Sequence, residues 1–195
     1  WGRNEYGQAV VPVSLVNPSA IAAGREHTCV IEEGGVRCWG SDFVRRQTTV
    51  PSDLVNPSAI TAGAYHTCVL DDNGVSCWGI SFPFGSGQTN VPVGLVNPIA
   101  VFAGKAHTCA IDDTGVRCWG GDNHGESTVP EGFVNPSAVA AGGQHTCVID
   151  DGGVSCWGYD YFGQTTVPAG LVNPSAITAG HTHTCALDDN GVTCW

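Results

Sequence analysis

His27, Cys29 and Cys38 fall within one short run, "GREHTCVIEEGGVRCWG" (residues 24–40), around an acidic Gly-rich turn. Imidazole and thiolate are zinc ligands, a reactive thiol pair does redox chemistry, and two thiols facing each other across a turn form a staple. Spacing separates these chemistries. The nine-residue offset between the cysteines is unlike the tight C-x₂₋₄-C knuckle of structural zinc sites, no fourth ligand recurs, and a redox C-x-x-C motif is absent. The even total of ten cysteines favours staples.

The run returns as "GAYHTCVLDDNGVSCWG", "GKAHTCAIDDTGVRCWG", "GGQHTCVIDDGGVSCWG" and "GHTHTCALDDNGVTCW". Tryptophans at 1, 39, 78, 119, 157 and 195 mark the period, so a single domain over 1–195 divides into repeats 1–38, 39–77, 78–118, 119–156 and 157–194. Within a repeat the apolar residues come in short runs ("SAIAAG", "HTCVI", "VRCWG", "TTVP") cut by Gly, Pro, Asn and Asp. That punctuation belongs to strands, and no segment holds a helical period. The acidic turn joins two runs as a hairpin. If Ile31 opposes Val36, then Cys29 opposes Cys38, and the same arithmetic pairs Cys68 with Cys77, Cys109 with Cys118, Cys147 with Cys156 and Cys185 with Cys194. Opposed residues lie roughly 4.5–5.5 Å apart at Cα, close enough to bridge.

A unit of three or four short strands buries too little by itself and needs neighbours on both faces. The expected fold is therefore all-β, a five-bladed β-propeller of short antiparallel blades; a parallel β-helix has shorter coils and no tight acidic hairpin. The N-terminal "YGQAVVP" is expected to supply an outer strand to the C-terminal hairpin, closing the ring in one shared blade.

The pattern G-x-x-H-T-C-x-[IL]-x-x-x-G-V-x-C-W-G, followed by G-Q, resembles the regulator of chromosome condensation repeat family over the full length. That resemblance implies a β-propeller, commonly of seven blades. In unit length the repeats are similar to those of a secreted β-lactamase-inhibiting member, which binds its target through one face of the ring.

Strand polarity sorts the loops. The dipeptides after Ala-Gly and the loops after Trp-Gly share one rim, and the acidic turns share the other with the "LVNP" segments. The acidic rim holds Glu32, Glu33, Asp71, Asp72, Asp112, Asp113, Asp150, Asp151, Asp188 and Asp189. Adjacent carboxylates lack the alternating spacing of a Ca²⁺ loop, so these read as solvated turns, with no metal and no cofactor. The copies differ on the other rim, where aromatic and Arg side chains collect in the composition of a binding hot spot. Its candidate binding residues are Phe43, Arg45, Arg46, Tyr65, Phe82, Phe84, Tyr159 and Tyr161, while Tyr6 and Phe162 are expected to tuck against the next blade. The recurring His27, His66, His107, His145 and His183 read as core hydrogen-bonding groups, and the tryptophans as packing between blades.

The net charge of -11, with only seven basic residues, argues against a hold on nucleic acid. No apolar run is long enough to span a bilayer. The chain opens inside a repeat with no Met and no signal-peptide pattern, which reads as a mature, excised or engineered segment. The expected function is a non-enzymatic, extracytoplasmic or secreted module, monomeric, docking a protein partner. A glycan-binding lectin is the alternative, but it would keep its pockets alike in every copy. A structural or designed five-blade scaffold is the other; no nucleophile–base pair marks an enzyme.

Overall fold

In a computed structural model, residues 2–42, 46–80 and 86–195 are described. Each repeat builds one sheet. The inner strands are β1 (Ala20–Ala23), β4 (Ala59–Ala62), β7 (Ala100–Ala103), β10 (Ala138–Ala141) and β13 (Ala176–Ala179). The middle strands are β2 (His27–Glu32), β5 (His66–Asp71), β8 (His107–Asp112), β11 (His145–Asp150) and β14 (Thr184–Asp188). The outer strands are β3 (Gly35–Gly40), β6 (Gly74–Gly79), β9 (Gly115–Gly120), β12 (Gly153–Gly158) and β15 (Gly191–Cys194). Five three-stranded antiparallel sheets result, the blades of a five-bladed propeller.

The acidic hairpin sets the register: Ile31 faces Val36 and Cys29 faces Cys38, and the other four repeats follow. Bridges join Cys29–Cys38, Cys68–Cys77, Cys109–Cys118, Cys147–Cys156 and Cys185–Cys194, with Cα atoms 4.0–4.1 Å apart.

The core lies between blades rather than within them. Cys109 and Ile111 of the third blade pack against Val139 and Val148 of the fourth, and Cys68 and Leu70 of the second pack against Val101 of the third. Burying each such aliphatic side chain is worth about 1.5–3 kcal/mol, which ties neighbouring blades into a unit. A polar chain crosses the same interfaces. The imidazole Nε2 of His27, His66, His107 and His145 lies 2.8–3.0 Å from the hydroxyl of Thr67, Thr108, Thr146 and Thr184 respectively, each in the next blade. Those threonines donate their own proton to the carbonyls of Gln47, Gln88, Glu126 and Gln164. Nε2 must therefore carry the imidazole proton and donate it. Trp78, Trp119 and Trp157 donate indole N–H bonds to the first three of those carbonyls, filling the second lone pair.

Gly63 shows how tightly this is packed. A Cβ there would collide with the His66 ring and with the Gly104 carbonyl of the next blade. Gly63→Ala is expected to cost about 3 kcal/mol by overpacking, read as a lower urea midpoint with an unchanged m-value.

The shared closing blade does not form. Every sheet draws its strands from one repeat, and the N-terminal segment serves the first blade: the Gln8 carbonyl accepts from Thr28 and Trp39, as Gln47 does from Thr67 and Trp78. The physical reason is local. A loop carbonyl that meets two donors in the blade following it has no call on a sheet edge four repeats away. Ile21 on the first blade is 69% exposed and Val192 on the last 71%, and His183 is exposed where its four counterparts are buried.

Candidate functional site: the variable rim

Hydrogen bonds sort the loops onto two rims. The N–H of Ser41, Ile80, Gly121 and Tyr159, each just after a Trp-Gly, donates to Glu26, Tyr65, Ala106 and Gln144 in the dipeptides before His-Thr. On the far rim, Glu33, Asp72, Asp113, Asp151 and Asp189 donate their N–H to Val16, Val55, Val96, Val134 and Val172.

The acidic turns have a structural task that sequence reasoning missed. The first acid of each pair, Glu32, Asp71, Asp112, Asp150 or Asp188, accepts the N–H of that same valine at 2.8–3.1 Å. The second accepts the side-chain amide of Asn17, Asn56, Asn97, Asn135 or Asn173 at 2.6–2.7 Å. Those asparagines sit at φ between 47° and 50°, a left-handed conformation that Asn tolerates and the carboxylate holds in place. The constant sixteen-residue interval from Asn to acid was the available signal. Both carboxylates of each turn are thus taken up by the valine N–H and the asparagine amide.

The variable rim carries side chains with no comparable task. Tyr161 is 78% exposed and Phe162 is also exposed, against the expectation that Phe162 tucks under its neighbour; Tyr6 is likewise out. Tyr161 meets Phe162 edge-on at 5.0 Å and stacks with Tyr159 at 6.3 Å, and Tyr159 reaches His124 from the preceding loop at 4.6 Å. Two adjacent loops thus build one aromatic patch. Tyr65 departs from its expected role: it is 5% exposed, and the Arg25 guanidinium lies over its ring at 5.5 Å. It is a platform under the rim rather than a contact on it. Phe43, Arg45, Phe82 and Phe84 lie outside the described residues.

Arg46 is exposed and adopts φ 51°. Its counterparts in the other four repeats, Gly7, Gly87, Gly125 and Gly163, have φ from 74° to 83°, so only this copy places a side chain where the turn favours glycine.

Electrostatics divide the rim from the histidine layer beneath. Burial pushes His27, His107 and His145 down to about 4 and His66 to about 3, so all four are neutral at pH 7. Their Nδ1 atoms are buried with no hydrogen-bond partner, so a second proton there would be a buried charge without an acceptor. They hold blades together.

The regulator of chromosome condensation (RCC1) repeat model matches residues 19–44, 58–88, 99–126 and 137–164, more than half the chain. The chain belongs to the RCC1 repeat family. The match is to the repeat and does not extend to the β-lactamase-inhibiting type. No curated protein sequence matches the chain. Among solved structures, the RCC1-repeat chain is similar to the entire ectodomain of the Physcomitrella patens receptor kinase CR4, with 27% identity, TM-score 0.78, and cover of 100% of this chain and 55% of that one. It is also similar to the CRINKLY WD40 ectodomain of the Arabidopsis thaliana receptor kinase ACR4, with 25% identity, TM-score 0.79, and cover of 100% and 74%. Prp20p from Saccharomyces cerevisiae, described with its binding properties to Gsp1p and histones, shares the fold at 17% identity and TM-score 0.74, over 90% and 57%. The chain thus spans about half the length of the CR4 ectodomain.

Proposed function

We propose that this RCC1-repeat chain is a non-catalytic, disulfide-stapled interaction module that docks a protein partner on its variable rim, through Arg46 and the patch of Tyr159, Tyr161 and Phe162. The observation that carries the reading is Arg46. A non-glycine residue in the left-handed region costs roughly 1 kcal/mol, and four sister turns avoid that cost with glycine. A side chain kept there at such a cost is there for its contacts. The exposed aromatic patch, three loops further along the same rim, adds rigid apolar area, and Arg and aromatic side chains are the residues enriched at interface hot spots. Receptor-kinase ectodomains and a protein studied for binding Gsp1p and histones are among the similar structures, which agrees with protein docking. Five disulfides suit an oxidising, extracytoplasmic setting.

Arg46→Gly is expected to raise the thermal midpoint by a few degrees, equivalent to about 1 kcal/mol, while weakening partner binding about tenfold or more. Tyr161→Ala should weaken it without moving the midpoint, and Arg37→Gln, beside Glu32 of the acidic turn, should leave binding alone. Surface plasmon resonance against the partner recovered by crosslinking from an extracellular fraction reads all three. Binding untouched by both rim variants, or carried by glycan after protein is removed from that fraction, overturns the proposal.

A further inference from the structure

The inner strands of all five blades end around one cavity of about 470 Å³ at the variable rim. Its wall is the repeated Ala-Gly of each strand end, small enough to leave the axis open, plus the first residue of each variable dipeptide. Those residues are Arg25, Ala64, Lys105, Gly143 and His181, so the first, third and fifth blades each contribute a nitrogen-bearing side chain. None of the eighteen acids lines the cavity among the described residues.

Neighbouring blades provide for two of these three side chains. The ring of Tyr65 supports the Arg25 guanidinium, and the absence of a side chain at Gly143 gives His181 its place, since a Cβ there would run into the His181 backbone and lie 2.7 Å from its Nδ1. Among the described residues the Lys105 side chain has no hydrogen-bond or ion-pair partner, while its backbone N–H is tied to the Gly142 carbonyl at 3.0 Å. Other cations of the chain are engaged: Arg3 with Glu5, Arg37 with Glu32 at 2.7 Å, Arg117 with the Gly94 carbonyl at 3.0 Å. Arg25 meets one acid among the described residues, Glu26, at a loose 4.0 Å. In a chain of net charge -11, two cations and an imidazole gathered around a mouth that no carboxylate lines among the described residues, with Glu26 at 4.0 Å from Arg25 as the acid beside them, make a local well for an anion.

We propose that this axial mouth is a carboxylate-binding site, which receives an Asp or Glu side chain of the protein docked on the rim. The inference rests on the protein-docking reading and names the chemistry at its centre. The Arg25 fork offers two parallel N–H donors that match a carboxylate, Lys105 adds a point charge from across the opening, and the alanine walls admit a short acidic side chain.

The test uses the oxidised chain and two capped peptides, acetyl-Glu-Glu-Glu-amide and acetyl-Gln-Gln-Gln-amide, titrated at low salt while the amide NMR signals of Gly24, Gly104 and Gly180 are followed. The Glu peptide is expected to shift those signals saturably and the Gln peptide to leave them in place. Arg25→Gln with Lys105→Gln should weaken the Glu peptide at least tenfold with the fold's chemical-shift dispersion intact. Arg37→Gln with Arg117→Gln, away from the mouth, should not change it. Equal response to both peptides, no response to either, or loss in the Arg37/Arg117 control overturns the proposal. So does saturation by inorganic phosphate with no response to the Glu peptide, which would make the mouth a phosphate site. Partner capture that depends on Arg46 but survives the Arg25/Lys105 change overturns the axial inference alone, whereas a mouth that binds the Glu peptide while capture ignores Arg46 and Tyr161 overturns the rim reading alone.

Discussion

Complete reduction of the five bridges is expected to leave the chain unfolded at neutral pH and room temperature. Each bridge closes a loop across a sequence separation of nine, for which chain entropy gives about 2.7 kcal/mol apiece. Five such terms approach about 13 kcal/mol, comparable with the whole stability of an ordinary domain at about 5–15 kcal/mol. Blades of three strands, the inner one four residues long, have little else inside each sheet to offset the loss. Cys29, Cys68, Cys109 and Cys147 are fully buried, so reductant at neutral pH should act only as blades open, and reduction should track unfolding. The measurement is far-UV circular dichroism and amide NMR after reduction in denaturant, alkylation and dilution. A reduced, alkylated chain that regains the native spectrum would show that packing between blades suffices without the staples. Removing one bridge, by Cys109→Ala with Cys118→Ala, should cost about 2–3 kcal/mol.

What could be read from the sequence was whatever repeats within one hairpin. The turn "EEGG" or "DDNG" fixes the offset of two strands, and that offset alone pairs Ile31 with Val36 and Cys29 with Cys38. The inter-blade links were legible only in kind. A histidine at the same strand start in five copies announces a buried hydrogen bond, but the Thr67 that meets His27 lies forty positions on, and only the curvature of the blades chooses it. Ring closure through a shared blade was misjudged for a related reason: "YGQAVVP" has strand composition, yet Gln8 is fixed by Thr28 and Trp39 of its own blade. At the rim, composition marked aromatics without telling Tyr65, which is buried beneath Arg25, from Tyr161, which stands out. The difference lies in loop placement: Tyr65 is next to His66 at the foot of the middle strand, whereas Tyr161 is three residues beyond the end of β12. Arg46 was visible as a charge but not as a strained turn, although setting "RRQ" beside "YGQ", "SGQ", "HGE" and "FGQ" shows Arg where the others have Gly.

Mild acid is expected to unfold the oxidised protein between pH 6 and 4. Burial holds His27, His107 and His145 down to about 4 and His66 to about 3, against an ordinary 6.5 for histidine in the unfolded chain. The unfolded state therefore binds more protons throughout that interval, and linkage makes stability fall as pH falls. The stabilisation is complete above pH 6.5, declines as the unfolded histidines charge, and levels off below the folded values of about 4 for three of them and about 3 for His66. Each histidine contributes roughly 1.4 kcal/mol per pH unit within the window, and four together give roughly 4–5 kcal/mol per unit. Two units of pH then remove about as much as a typical domain possesses. Asp42, Asp122 and Asp160 attract a second proton on His27, His107 and His145, but burial outweighs them: Nε2 already donates to a threonine hydroxyl, and Nδ1 is buried without an acceptor. Asp160, held down chiefly by the Thr165 N–H, and Asp188, by the Val172 N–H, add to the loss at lower pH as they give up their charge. Urea midpoints at pH 7, 6, 5 and 4 check the slope, and His107→Gln should flatten it by about a quarter, because an amide can still donate to Thr146 while taking up no proton. A midpoint that stays level from pH 7 to 4 would mean that the histidines accept their second proton in place, with Nδ1 opening to solvent at no cost to the blade interfaces.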